Sequence, residues 1–261
     1  MKAALYLEVD NQLATVIIDR VEKRNALSLQ MWKRIPELFA EIESERSVKV
    51  VIVRGVDNTA FAAGVDIEEF SRIAASEELG RELMETVQAA EQSIGNCSKP
   101  VIAMIDGPCV GGGVELALAC DLRFASKGST FSVPPAKLGL VYSLSSTRRL
   151  IELIGIGRSR DLLYSARTFG AEEAERIGLI ERVFDASRIR AETLSYAELL
   201  CRRSQYSIRA SKAIIQAISR GEQDANPEIQ RLRGGAFLED DLREGLNAFF
   251  EKRPPEFKWG V

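Results

Sequence analysis

Apolar residues recur along this chain at alternate positions in some stretches and at every third or fourth position in others, and the changes of period divide it into elements. Residues 3–9 and 13–19 read as two strands joined by Asp10-Asn11-Gln12, a hairpin turn. The charged loop RVEKRNAL at 20–27 ends at Ser28, a suitable N-cap for an amphipathic helix reaching about Glu45; Pro36 within that pattern predicts a kink or break. Residues 48–54 form a buried strand. The loop at 55–70, GVDNTAFAAGVDIEEF, passes through small residues to Asp66, an acid placed to cap a further helix. A helix over 77–97 has apolar positions at Leu79, Leu83, Met84, Val87 and Ile94, and Lys99-Pro100 closes it before the strand VIAMI at 101–105.

Strands follow at 122–125 and 130–133, then a loop at 134–146 that ends in a serine-rich helix start. Residues 146–154, 159–164 and 171–177 read as helices, and 179–184 as one more strand. Beyond Ala186 the pattern turns almost wholly helical, with apolar positions at Ile208, Ile214, Ile215 and Ile218, then Leu238, Leu242, Leu246, Phe249 and Phe250. The loop at 221–227 interrupts this tail, which reads as a separate layer. We therefore divide the chain into a core at 1–195 and a helical region at 196–261. The order of elements predicts an α/β fold.

Composition changes this picture mainly by exclusion. A chain of 261 residues, 46% hydrophobic and 28% charged, is long enough for one large domain or for one domain with a smaller appendage. The formal charge of −3, without a long basic run, supplies no drive toward nucleic acid or a membrane surface. Cys97, Cys109, Cys120 and Cys201 form no CxxC pair and have apolar neighbours, so they read as core thiols rather than metal ligands. With no basic-then-apolar leader and no apolar run of membrane length, a reducing cytoplasm is the expected location. The chain contains no histidine, which removes Ser-His-acid triads, Cys-His dyads and imidazole metal sites together. Chemistry must rest on carboxylates, hydroxyls, lysines or backbone.

The stretch GPCVGGGVELALACD at 107–121 offers such backbone chemistry. Gly111, Gly112 and Gly113 present no side chains to a ligand and stand where a helix start leaves N–H groups unpaired, so they can place donors against a developing negative oxygen. A tight turn that lets a helix pack closely on a strand explains the same glycines. A phosphate loop fits less well, because no Gly-Lys-Ser/Thr ending follows and the dinucleotide spacing is absent.

Three segments, FAAGVDIEEF, VIAMIDGPCVGGGVELALACDLRFAS and EGLNAFFEKRPPEF, together resemble the enoyl-CoA hydratase/isomerase family, also called the crotonase family. The resemblance implies a spiral of repeated ββα units with a carboxy-terminal helical trimerisation region, and homotrimers that often pair into hexamers. It implies an acyl-CoA substrate, with coenzyme A as part of that substrate and no separate cofactor, metal, nucleic acid or membrane partner. The thioester carbonyl would be polarised by the N–H groups of Val65 and Gly112. For the CoA end it implies Lys23, Arg24 and Ala26 near phosphates or pantetheine, and Ala63, Asp66 and Ile67 around the adenine. Glu68 stands where many members carry a lysine, so phosphate contacts would come from Lys23, Arg24 or Lys258. A solvated loop is the alternative for Lys23 and Arg24.

The departure from the family lies in its acids. Hydratases of this type use two glutamates; Glu115 matches the first, but Pro135 stands at the second, and the usual IPGAGG is replaced by LVYSLS at 140–145. Two-carboxylate hydration then lacks half its apparatus. Within the family, TFSVPPAKLGLVYSL and NAFFEKRPPEF resemble the methylmalonyl-CoA decarboxylase branch most, although Val65 stands where that branch has a histidine. The expectation is a decarboxylase-like lyase for a malonyl-type thioester, in which Pro135 forms a neutral wall and Tyr142 orients the departing carboxylate. Thr147, Arg148 and Arg149 offer further anion contacts. The alternatives are a hydratase or isomerase with Glu115 as sole carboxylate, and a non-catalytic or RNA-binding member. Glu115 is expected to face the oxyanion donors with a raised pKa. Another acid, such as Glu85 or Asp240, is left as a possible replacement for the missing glutamate.

Overall fold

The computed structural model describes residues 4–223 and 226–258. The expected strand start at Ala3 and two positions of the 221–227 loop lie outside them. A hairpin of β1 (Leu5–Asp10) and β2 (Leu13–Ile18) opens a six-stranded sheet that continues through β3 (Val50–Gly55), β4 (Val101–Ile105), β6 (Leu122–Ser126) and β9 (Arg182–Phe184). Within this sheet the β1–β2 pair is antiparallel and the other pairs are parallel. The inner strands β3 and β4 are buried along nearly their whole length, which explains their continuous apolar runs.

A second, smaller sheet joins β5 (Cys109–Val110), β7 (Thr130–Ser132) and β8 (Thr168–Gly170). Single bridges extend its line, Ala62 to Cys109 and Leu27 to Val65. Successive passes of the chain thus add one strand to the large sheet and one rung to the small one, the spiral winding expected of ββα units. Strands β5 and β8 have two and three residues, too few to carry a readable period, and were not anticipated.

Helices close the layers: α1 (Leu29–Ser44), α2 (Ile67–Ile73), α3 (Glu77–Gly95), α4 (Gly112–Ala119), α5 (Pro135–Leu138), α6 (Leu144–Ser165) and α7 (Ala171–Ile177), then α8 (Ile189–Cys201), α9 (Gln205–Ser219), α10 (Pro227–Gly235) and α11 (Asp240–Glu251). Ser28 caps α1, its hydroxyl accepting from Met31 N–H at 3.2 Å. Helix α1 runs unbroken through Pro36, contrary to expectation. Met31, Trp32, Ile35, Leu38, Phe39 and Ile42 are buried on both sides of the proline, and this packing keeps both halves helical. The two helices expected at 146–154 and 159–164 both lie within α6, separated by a kink at Gly155, where φ is 77° and the backbone is not helical. The expected division at 195/196 falls inside α8, which packs across β3, β4, β6 and β9.

Candidate active site

The loops at 60–66 and 107–113 lie side by side. Phe61 N–H and Ala62 N–H donate to Pro108 O at 3.0 and 3.2 Å, and Val110 N–H donates to Ala62 O at 3.0 Å. Two glycines make this approach possible. A Cβ on Gly113 would stand 2.2 Å from Ala62 O, closer than any side chain allows. Gly64 has φ of +92°, and a Cβ there would lie 3.1 Å from Val110 O and 3.7 Å from Gly112 N.

Two peptide groups meet at this junction, and each is held by its carbonyl. Gly64 O accepts from Leu27 N–H at 2.7 Å; a trans peptide points its N–H opposite to its C=O, so Val65 N–H is turned away from that bond. Gly111 O accepts from Val114 N–H at 2.9 Å, Glu115 N–H at 3.1 Å and the Tyr142 hydroxyl at 2.7 Å. Those three donors orient the Gly111–Gly112 peptide and leave Gly112 N–H facing the other way. Among the described residues, neither Val65 N–H nor Gly112 N–H has a protein acceptor. Two donors without a protein acceptor on adjoining, fixed peptides, one at the start of α4, are of the kind that can donate to a negative oxygen.

Glu115 sits in the first turn of α4, three residues after Gly112 and therefore on the same face. Burial, reinforced by the charge of Glu91, pushes its carboxyl group up to about 8, while the neighbouring Ser146 hydroxyl pulls the other way. Glu91, on α3, is fully buried at 0% exposure. Its oxygens accept from Ser145 Oγ and Ser146 Oγ, both at 2.6 Å, and from Ser143 Oγ and Arg149 at 3.4 Å. Tyr142 is kept protonated by burial and by the nearby Glu115, Cys109 and Glu91, which push its phenol well above the usual range.

Other expected residues divide into those the fold gathers and those it does not. Ala26, Ala63 and Asp66 lie together, since Ala63 N–H donates to Arg24 O at 3.1 Å and Asp66 N–H to Leu27 O at 3.2 Å. The side chain of Asp66 is already occupied: it caps α2 through Glu68 N–H and Glu69 N–H and pairs with Arg20 at 2.6 Å. Ile67 is 71% exposed on the rim. Lys23 Nζ pairs with Glu68 at 2.7 Å, so the acid in the place of the family lysine draws this cation to itself, whereas Arg24 is exposed. Lys258 lies beside Glu244 at the carboxy-terminal end and is not brought to these loops within one chain. Pro135 is buried at the start of α5, and the ring of its neighbour Pro134 lies 3.5 Å from the Cβ position of Gly111, so the second-acid position borders the oxyanion loop.

Three sets of expected residues have other partners or surroundings. The Tyr142 hydroxyl, expected to orient a substrate carboxylate, donates a hydrogen bond to Gly111 O at 2.7 Å. Arg149 is turned onto Glu91, and Arg148 is exposed. Glu85 and Asp240 are both exposed, Asp240 paired with Arg243; the acid beside Glu115 is Glu91. Its signal was present in the sequence. Position 91 lies four residues after Val87 and three before Ile94, on the apolar stripe of α3, where a charge demands a partner.

Known proteins resemble this chain along nearly its whole length. The sequence profile described as enoyl-CoA hydratase/isomerase matches residues 8–259. A crotonyl-CoA hydratase of Syntrophomonas wolfei is 32% identical, with 97% of each chain covered. A peroxisomal Δ3,5-Δ2,4-dienoyl-CoA isomerase of Arabidopsis thaliana is 30% identical over 95% of this chain and 93% of its own. Among solved structures, an enoyl-CoA hydratase/isomerase family protein from Hyphomonas neptunium superposes with a TM-score of 0.96 at 41% identity, covering 99% of each chain.

Proposed function

The chain belongs to the enoyl-CoA hydratase/isomerase family, and from that membership we propose an enoyl-CoA isomerase that relocates a proton beside the thioester. Val65 and Gly112 N–H groups hold the enolate oxygen, and Glu115 carries the proton. The observation that supports this reading is a single carboxyl group on the face of the oxyanion helix, with its pKa pushed up to about 8 and Pro135 at the second-acid position. Isomerisation needs only one such group. The carboxylate removes a proton from the α-carbon of a β,γ-enoyl thioester, the electron pair enters the carbonyl as an enolate, and the same proton returns to the γ-carbon. Hydration needs more, because water must be held and deprotonated while a proton reaches the α-carbon. A raised pKa suits Glu115 to the weakly acidic α-proton.

Decarboxylation of a malonyl-type thioester is the second reading. The buried apolar Pro135 and an uncharged Glu115 favour it, since departing CO₂ leaves an enolate that needs only a proton donor. Against it, Arg149 and the Tyr142 proton are engaged elsewhere, and Leu140, Val141 and Leu144 present exposed apolar surface around Tyr142, which suits a neutral acyl chain. Coenzyme A enters as part of the substrate, its pantetheine passing Ala26 and its adenine lying by Ala63 and Ile67. We also propose a homotrimer, alone or paired into a hexamer, in the cytoplasm. Exposed apolar residues on the carboxy-terminal helices support the assembly, and four free, buried cysteines fit a reducing compartment.

The test is to offer 3-hexenoyl-, crotonyl-, malonyl- and methylmalonyl-CoA at equal concentration and follow products by chromatography. Conversion of the 3-enoyl to the 2-enoyl thioester should be fastest, and Glu115→Gln should abolish it while retaining CoA-ester binding. Loss of CO₂ without isomerisation would hand the assignment to the second reading, and hydration of crotonyl-CoA as the fastest reaction would overturn both.

A further inference from the structure

Three donors on Gly111 O aim the Gly112 N–H, and two of them, Val114 N–H and Glu115 N–H, belong to α4 itself. The third, the Tyr142 hydroxyl, comes from a different part of the chain and reaches the carbonyl at 2.7 Å. Tyr142 stands in the short segment between α5 and α6, with its ring against the core. Its neighbours Leu140, Val141 and Leu144 are exposed, so they do little to fix the backbone that carries it. A segment so placed needs another anchor if its hydroxyl is to stay on one carbonyl.

That anchor begins one residue later. Ser145 Oγ and Ser146 Oγ each donate to the carboxylate of Glu91, on α3, at 2.6 Å, and Ser143 Oγ and Arg149 Nη1 donate to it at 3.4 Å. Ser143 also caps α6, accepting from Ser146 N–H at 3.0 Å. Arg149 Nη2 donates to Glu91 O at 3.4 Å, and Gly95 leaves room for it, since a Cβ there would stand 2.8 Å from that nitrogen. All of these donors lie within 143–149. A carboxylate at 0% exposure is a costly way to add stability, because an apolar residue of similar size avoids the loss of hydration. What it supplies is geometry: two acceptor oxygens that gather several hydroxyls and a guanidinium from one stretch of chain.

We propose that Glu91 is a positioning residue: its carboxylate fastens the start of α6 to α3 and thereby sets the Tyr142 hydroxyl on Gly111 O, which aims Gly112 N–H at the substrate oxygen. This rests on the reading that Val65 and Gly112 N–H groups hold that oxygen. In this role Glu91 acts through Tyr142 and exchanges no proton. The connection is contiguous, from Glu91 to the serines, along the backbone to Tyr142, by one hydrogen bond to Gly111 O, and across that peptide to Gly112 N–H. A tie that served only to stabilise α6 would have no reason to act through the tyrosine, and the two roles part at that point.

A double-mutant cycle on the full-length protein tests this, with Glu91→Gln, Tyr142→Phe and the two combined, from initial rates on 3-hexenoyl-CoA at about pH 9. That pH lies above the Glu115 midpoint of about 8, so a changed charge near Glu115 does not enter the rates. Gln keeps the size of Glu91 but has one acceptor oxygen in place of two. Each single variant should lower kcat about tenfold with KM nearly unchanged, and the double variant should stay within about twofold of Tyr142→Phe, because both changes remove the same constraint. Full activity in either single variant, or a loss of about a hundredfold in the double one, overturns the proposal. Should Glu91→Gln fail to fold, Ser145→Ala takes its place in the cycle, deleting one of the two shortest bonds to Glu91, with an expected loss of about threefold. A second readout needs no turnover. Hexanoyl-CoA labelled with ¹³C at the thioester carbonyl has no double bond to move and no carboxylate to lose. Its carbonyl stretch, read by isotope-edited infrared spectroscopy, should fall on binding to the wild type and return toward the free value in Glu91→Gln and Tyr142→Phe alike. If the wild type turns over no acyl-CoA, the isomerase reading fails and this stretch decides the positioning role. A stretch unmoved by the wild type, or lowered equally by the wild type and Glu91→Gln, refutes it.

Discussion

Glu115 stores its function as a stability cost. Its pKa rises from 4.5 in the unfolded chain to about 8 in the folded one, so the native state binds the proton more tightly between those values. Stabilisation from this group is therefore complete below about pH 4.5 and is lost as pH rises through 8. Glu115→Gln, neutral at every pH, should match the wild type in urea unfolding near pH 5 and exceed it at pH 9 by a few kcal/mol, on the order expected for a shift of this size. Equal stabilities at both pH values would remove the burial argument. Tyr142 acts through another group, the Gly111 carbonyl. Tyr142→Phe should lower kcat about tenfold with KM nearly unchanged, because one of three donors that aim the Gly112 N–H is lost while the binding surface remains. An unchanged kcat would leave the backbone donors of Val114 and Glu115 as sufficient.

At the scale of elements, the site is a junction between two rungs of the small sheet. The Ala62–Cys109 bridge sets the distance between the loops, and Gly113 permits it. Gly113→Ala should cost about 3 kcal/mol or more by chemical unfolding, since a methyl group placed 2.2 Å from Ala62 O forces the loops apart and breaks the bond to Val110 N–H. A loss below about 1 kcal/mol would mean that the loops can separate freely. Helix α2 contributes differently, since its cap Asp66 ties the 62–66 loop to Arg20. Burial alone would raise the pKa of Asp66, but the Arg20 guanidinium and the Glu68 and Glu69 N–H groups overcome this and hold it below the usual carboxylate value. Its part of the stability is therefore present above the ordinary Asp pKa and fades as pH falls through the lowered one.

For the whole molecule, large apolar side chains stand exposed on α11 and on the segment before it. Phe237, Leu238, Phe249 and Phe250 are 76% to 84% exposed, too much apolar area to leave in water at the end of one chain. A Phe249→Asp, Phe250→Asp double variant should elute as a smaller species than the wild type in size-exclusion chromatography with light scattering. Identical masses would place the assembly surface elsewhere. Helix α9 is not part of that open surface on its inner face, where Lys212 Nζ donates to Lys99 O at 2.9 Å and pairs with Asp121 at 2.7 Å. These contacts fasten α9 to the core.

Periodicity and small-residue spacing determined much of this protein by themselves. Most of the order of strands and helices, the caps at Ser28 and Asp66 and the motifs that carry the family resemblance were legible, because each depends on local backbone geometry or on a short spacing; the pairing of the AAG and GGG loops was an implication of that resemblance. Tertiary structure decided what side chains do once distant segments meet. Pro36 stays inside α1 because its neighbours are packed on both sides, Lys23 is spent on Glu68, and Tyr142 serves a backbone carbonyl. Glu91 shows the difference most clearly. Its place on the apolar stripe of α3 announced a buried charge, but its partners are 52 to 58 residues away on the segment that opens α6. Sequence spacing cannot rank contacts at that separation, since the sheet and helix packing between them sets the distance.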